Sequence, residues 1–92
     1  MKPYSIVYTT EARTKIRHLH PVIKQQIRAS LEQLGINPWL GKRLQRELSG
    51  VFSLRFKSYR VLYWVDENKQ RIEILTLGPR KTIYEQFSKK QR

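Results

Sequence analysis

Apolar residues in this chain change their spacing twice, and each change marks an element. Tyr4-Ser-Ile-Val-Tyr8 alternates well enough for a half-buried first strand. Thr9 and Thr10 then offer an N-cap, and Glu11 suits a helix N-terminus, where the aligned peptide dipoles favour negative charge. Ala12, Ile16 and Leu19 recur at helical spacing, which predicts a first helix to about His18. Pro21 disfavours helix at His20 and suits the first turn of a second helix. Ile23, Ile27, Leu31 and Leu34 form the apolar stripe of that helix, and Gly35 reads as its stop.

A connector follows from Ile36 to Gly50, punctuated by Asn37-Pro38 and Gly41, with Leu44 and Leu48 positioned to tack it to the core. Period-2 patterning returns in Val51–Val65 and Arg71–Arg80, which reads as three strands in a row, the last ending just before Arg80, with Asp66–Gln70 as the turn between the last two. Thr82 to Lys90 suits a short terminal helix with Ile83 and Phe87 on one side. The expected fold is α+β in one domain spanning residues 1–92. A small, mostly antiparallel sheet carries an N-terminal helix hairpin on one face. Ile16, Ile23, Ile27, Leu31, Leu34, Phe52, Leu54 and Phe56 are its expected core.

Register brings out candidate chemistry. If Lys57-Ser58 is a two-residue hairpin turn, Phe56 faces Tyr59 and Arg55 faces Arg60. Alternation then puts Ser53, Arg55, Arg60 and Leu62 on one face and Phe52, Leu54 and Phe56 on the core side. Two like charges directly opposite each other, roughly 5.5 Å apart, repel by about 0.8 kcal/mol in water and about 3 kcal/mol at an effective dielectric of 20. An anion bound between them would reverse that sign. Arg80, just past the last strand, comes to the same end of the sheet. Convergent guanidinium groups fit phosphate oxygens, which they grip bidentately. The bland alternative is that the guanidinium groups splay into solvent.

Charge strengthens the polyanion reading. Nineteen Lys and Arg stand against seven Asp and Glu, for a net charge of +12. Such a balance steers toward nucleic acid, an anionic membrane or an acidic protein. A membrane partner is disfavoured, because no helix pairs a basic face with a bulky aromatic one. No apolar run approaches the roughly 20 residues of a membrane span, and the N-terminus lacks the apolar core of a signal peptide. The chain has no cysteine, which fits a reducing cytosol and leaves neither disulfide nor thiolate metal site.

His18 and His20 lie near the helix break and read as surface residues rather than catalysts. Trp39 and Trp64 read as packing residues rather than base-stacking platforms. Tyr84 is balanced between anchoring the terminal helix and serving a site. Histidines and carboxylates show no metal-ligand spacing, no glycine-rich phosphate loop is present, and no cofactor is expected.

One ordered set of segments resembles a known family. Its pieces are the opening strand followed by Thr10-x-Ala12, Leu31-x-x-Leu34-Gly-x-Asn-Pro38, Leu48-Ser-Gly-Val-Phe-Ser-Leu-Arg55, Tyr59-Arg-Val-Leu-Tyr63 and Leu77-Gly-Pro-Arg-Lys-Thr-Ile-Tyr84. Together these resemble the RelE/ParE superfamily of small bacterial toxins, over essentially the whole chain. The resemblance implies a cytoplasmic toxin of a type II toxin–antitoxin system. Its partners would be a cognate antitoxin with an acidic or amphipathic segment, the ribosome and mRNA, and operator DNA through the antitoxin complex. RelE-like members are ribosome-dependent endoribonucleases; ParE-like members poison DNA gyrase. A non-catalytic RNA-binding module is a further alternative.

Arg60, Arg80 and Tyr84 match the RelE-like pattern, and Arg55 occupies one position of its basic strand pair. Ser53 stands at the other, where a lysine is expected. The implied catalytic set is therefore Arg60, Arg80, Tyr84 and Arg55, with Lys57, Lys42, Arg43, Arg46 and Lys81 contacting RNA phosphates. RNA supplies its own nucleophile in its 2′-hydroxyl, so the protein must remove a proton, stabilise the phosphate charge and protonate the leaving oxygen. Arginine suits the second task and is a poor general acid.

Overall fold

The computed structural model describes residues 3–90. Strand β1 (Ser5–Tyr8) leads into helices α1 (Thr10–Arg17) and α2 (Pro21–Ile36). Strand β2 (Lys42–Arg43) and a 3₁₀ turn at Arg46–Leu48 precede β3 (Phe52–Phe56), β4 (Tyr59–Asp66), β5 (Arg71–Pro79) and helix α3 (Ile83–Lys90). The strands form one sheet in the order β1-β5-β4-β3-β2, antiparallel except for the β1–β5 pair. This is the expected α+β architecture, with one addition: the connector contributes the edge strand β2.

Local chemistry accounts for the helix starts. Thr9 caps α1 by accepting the Ala12 N–H at 3.1 Å. His20, a surface residue as expected, caps α2 through Nδ1, which accepts the Val22 N–H at 3.2 Å. The expected stop at Gly35 is wrong. Helix α2 continues to Ile36 and is capped at Asn37. Gly35 is instead a point of close approach: its carbonyl accepts the Tyr4 N–H at 2.8 Å, and a Cβ there would lie 3.0 Å from the Tyr4 carbonyl oxygen.

The main core lies between the sheet and α1 and α2. It contains Ala12, Ile16, Ile27, Leu31, Leu34, Phe52, Val61, Tyr63, Ile72, Ile74 and Leu77, with Ile23, Leu54 and Phe56 half-buried at its margin. Alternation sends the neighbouring residues to the opposite face, where α3 covers a second cluster of Val51, Leu62, Ile83 and Phe87. A bulge on β5 leaves Leu75 without a partner between Thr76 and Ile74, and Leu75 joins that second cluster. Trp39 packs its ring 5.5 Å from Phe52. Trp64 departs from the packing role expected of it: it is 49% exposed. No helix among the described residues is long and apolar enough to cross a membrane.

Candidate phosphate-binding site at the sheet end

The β3–β4 hairpin turns at Lys57-Ser58 in the register expected from alternation, with Phe56 opposite Tyr59 and Arg55 opposite Arg60. Lys57 has φ 54°, in the left-handed region that most residues avoid. Arg60 also pairs with Gly78 on β5, and the Arg80 N–H donates to the Ser58 carbonyl at 2.7 Å. Residues 55, 60 and 80 therefore share one end of the sheet.

Their side chains differ in setting. Arg55 is exposed, and its Nε donates a long 3.4 Å bond to the Lys57 carbonyl. Arg80 is exposed beside Ser58, Tyr59, Pro79, Lys81 and Thr82, which line an open cleft. Arg60 is half-buried. Its Nη1 donates to Ser53 Oγ at 3.4 Å, while its Nε is shielded and has no hydrogen-bond partner among the described residues. A buried donor left unpaired costs about 1–3 kcal/mol, a cost the fold carries at this position.

Tyr84 reaches the same place from α3. Its hydroxyl donates to Ser53 Oγ at 2.9 Å. Ser53 itself is buried, at 1% exposure. Gly78 permits this closeness, because a Cβ there would sit 2.8 Å from Ile83 Cδ1 at the start of α3. The structure thus links Arg60 to Tyr84 through the Oγ of Ser53, a residue to which the sequence assigned a place on the arginine face but no role. The available signal was Ser53's place on the arginine face, two residues before Arg55.

The other cations divide between the two faces. Lys42 on β2 pairs with Ser53, which puts it on the site face. Arg43 pairs with Phe52, and its guanidinium carbon lies 5.3 Å from that ring's centre, on the helix-bearing side of the sheet. Arg46 is exposed on the 3₁₀ turn, and Lys57 Nζ lies 5.7 Å from the Phe56 ring centre. The structure does not bring Arg43 to the cluster.

Tyr63, which sequence reasoning assigned no role, holds the loop that leads to β2. Its hydroxyl donates to the Pro38 carbonyl at 3.0 Å and accepts the Gly41 N–H at 2.8 Å. Burial pushes its pKa above the ordinary phenol value, against the opposing effect of the Gly41 N–H. Among the described residues, no three His, Cys, Asp or Glu side chains gather closely enough to hold a metal ion.

Comparison with known proteins agrees with this architecture. The profile of ParE-like toxins of type II bacterial toxin–antitoxin systems matches residues 6–88. Toxin RelG of Mycobacterium tuberculosis is 36% identical over 84 residues, covering 89% of this chain and 97% of the relative. Toxin RelE of the same organism is 30% identical over 88 residues, covering 89% of this chain and 87% of that protein. The M. tuberculosis RelBE2 toxin–antitoxin complex contains a chain that superimposes with a TM-score of 0.78 at 36% identity, over 85% of this chain and 99% of that one. Free E. coli RelE, in an arginine-substituted form, shares the fold at a TM-score of 0.77 and 18% identity, over 96% of this chain and 97% of that one. With the RelE-type sheet and helices in place and the profile spanning nearly the whole length, this chain belongs to the ParE-like toxin family of type II bacterial toxin–antitoxin systems, among its RelE relatives.

Proposed function

We propose that this toxin is an mRNA endoribonuclease that acts on ribosome-bound messages in the cytoplasm. The observation that carries the reading is the convergence of Arg60, Ser53 and Tyr84 at one end of the sheet, opposite Arg55 and beside residue 80. The RNA 2′-hydroxyl attacks the adjacent phosphorus as its proton passes to water, and the expelled 5′-oxygen takes a proton from water, which leaves a 2′,3′-cyclic phosphate and a 5′-hydroxyl. Arg60 and Arg55 neutralise the charge that builds on the non-bridging oxygens. Arg80, exposed at the same sheet end, adds a fork-shaped donor on the leaving-group side. Tyr84 orients the nucleotide and accepts from its 2′-hydroxyl. Lys42, Lys57 and Lys81 extend the positive surface along the RNA strand.

None of these groups is a strong base at neutral pH. Catalysis therefore leans on positioning, and a ribosome that holds the message in an attack-ready geometry supplies it. In its resting complex the toxin pairs with a cognate antitoxin, a reading supported by its likeness to the M. tuberculosis RelBE2 toxin–antitoxin complex, and the net charge of +12 suits an acidic or amphipathic antitoxin segment. The test is primer extension on a translated message after induction, beside a gyrase supercoiling assay. New 3′ ends inside the coding region that vanish in an Arg60→Ala, Arg80→Ala variant are expected. Growth arrest with intact message and inhibited supercoiling would favour the gyrase reading instead.

A further inference from the structure

We infer that Ser53 is a positioning residue of the site, whose hydroxyl fixes the place of Tyr84 and ties Arg60 to it. Three elements meet at this one oxygen: Ser53 on β3, Arg60 on β4 and Tyr84 on α3. A serine hydroxyl offers two acceptor lone pairs and one donor hydrogen. Tyr84 Oη fills one lone pair at 2.9 Å and Arg60 Nη1 approaches the other at 3.4 Å.

The consequence for Tyr84 is specific. The 2.9 Å bond to a buried oxygen on β3 fixes where the Tyr84 hydroxyl sits. A nucleotide 2′-hydroxyl that meets Tyr84 therefore finds its oxygen already in place. The consequence for Arg60 is similar. With Nη1 held toward Ser53, the rest of the guanidinium is held with it, its Nε shielded from solvent. A neutral hydroxyl performs this junction without adding a third cation beside the Arg55–Arg60 pair.

A passive tether for α3 would use the same hydrogen bond, but it would behave differently. Helix α3 is also held by Ile83 and Phe87 in the second cluster, so losing one hydrogen bond should leave it docked. Loss of the junction should instead appear in the chemical step.

This inference rests on the nuclease reading, and its test separates the two. Single-turnover cleavage of ribosome-bound mRNA is measured for the parent, Ser53→Ala, Tyr84→Phe and the double variant, with thermal melting of each. Ser53→Ala is expected to lower the saturating rate by about 10-fold with a concentration dependence within about 2-fold of the parent. In the Tyr84→Phe background the same change should cost less than about 3-fold, because residues acting as a unit are not additive. Alongside, solvent exchange of the Arg60 Nε–H is followed by ¹⁵N-resolved NMR, and Ser53→Ala should speed it by about 10-fold or more. A parent that cuts no ribosome-bound message refutes the nuclease reading, while the exchange rates still decide whether Ser53 holds Arg60. Parent-like exchange in Ser53→Ala overturns the inference. So does parent-like cleavage, or a loss fully additive with Tyr84→Phe.

Discussion

Replacing Arg60 by methionine should make this protein more stable and nearly inactive. The side chain keeps its apolar stem, so packing beside Leu62 and Ser53 is largely preserved, while the guanidinium is removed. Three effects then compete. Relief of the shielded, unpaired Nε returns about 1–3 kcal/mol. Removal of the cation opposite Arg55 returns about 0.8 kcal/mol, the value for water, because Arg55 is exposed. Loss of the long Nη1 contact to Ser53 takes away about 0.5–1 kcal/mol. The sum favours the variant by roughly 1–3 kcal/mol, at about 4–8 °C in Tm per kcal/mol for a domain of this size. Cleavage should fall by about 10²–10³-fold, as when one preorganised charged donor is lost from a transition-state site. Urea unfolding and thermal melting read the first effect, and single-turnover cleavage reads the second. A variant that loses more than about 1 kcal/mol of stability while still cutting RNA at the parent's rate would make Arg60 a structural residue and refute the reasoning.

Arg80→Lys should lose most cleavage activity, since a point charge cannot copy the two-pronged guanidinium; full retention in a single-turnover assay would reduce Arg80 to a generic cation. Gly78→Ala puts a Cβ 2.8 Å from Ile83 Cδ1, the end of that side chain, so Ile83 must turn aside and a lower Tm is expected; an unchanged Tm would show that the side chain adjusts without cost. Tyr63 has a raised pKa in the folded state, so its protonated form binds the fold preferentially. Its contribution is complete below the unfolded phenol value of about 10 and is lost as pH rises toward and through the raised folded value. Melting followed from pH 8 to 11 should show this decline, and Tyr63→Phe should reduce it while lowering stability at pH 8, the remainder coming from Tyr8, whose phenol pKa burial also raises.

The hairpin was legible from sequence because its logic is local. A two-residue turn and strict alternation suffice to place Arg55 against Arg60 and Phe52 toward the helices. What sequence hid was set by distant backbone. Gly35 carries the composition of a helix stop, yet its role comes from the Tyr4 backbone lying against it, thirty-one positions away in number. Strand β2 has only Lys42 and Arg43, too short for any periodicity, and exists because β3 offers it an edge. Trp64 shares a face with Leu62 but remains half-exposed, so side-chain type alone misjudged it. The junction at Ser53 needed α3 folded back over the sheet, a contact between residues 53 and 84 that no local pattern encodes.

The central claim is that RNA is cut by its own 2′-hydroxyl at the Arg60–Ser53–Tyr84 end of the sheet. The most direct measurement is the chemistry of the fragment ends made by purified toxin on programmed ribosomes, for the parent and for the Arg60→Ala, Arg80→Ala variant. The account predicts a 2′,3′-cyclic phosphate on the upstream fragment and a 5′-hydroxyl on the downstream one, with both products lost in the variant. A 5′-phosphate on the downstream fragment, or undiminished cleavage by a folded double variant, would contradict it.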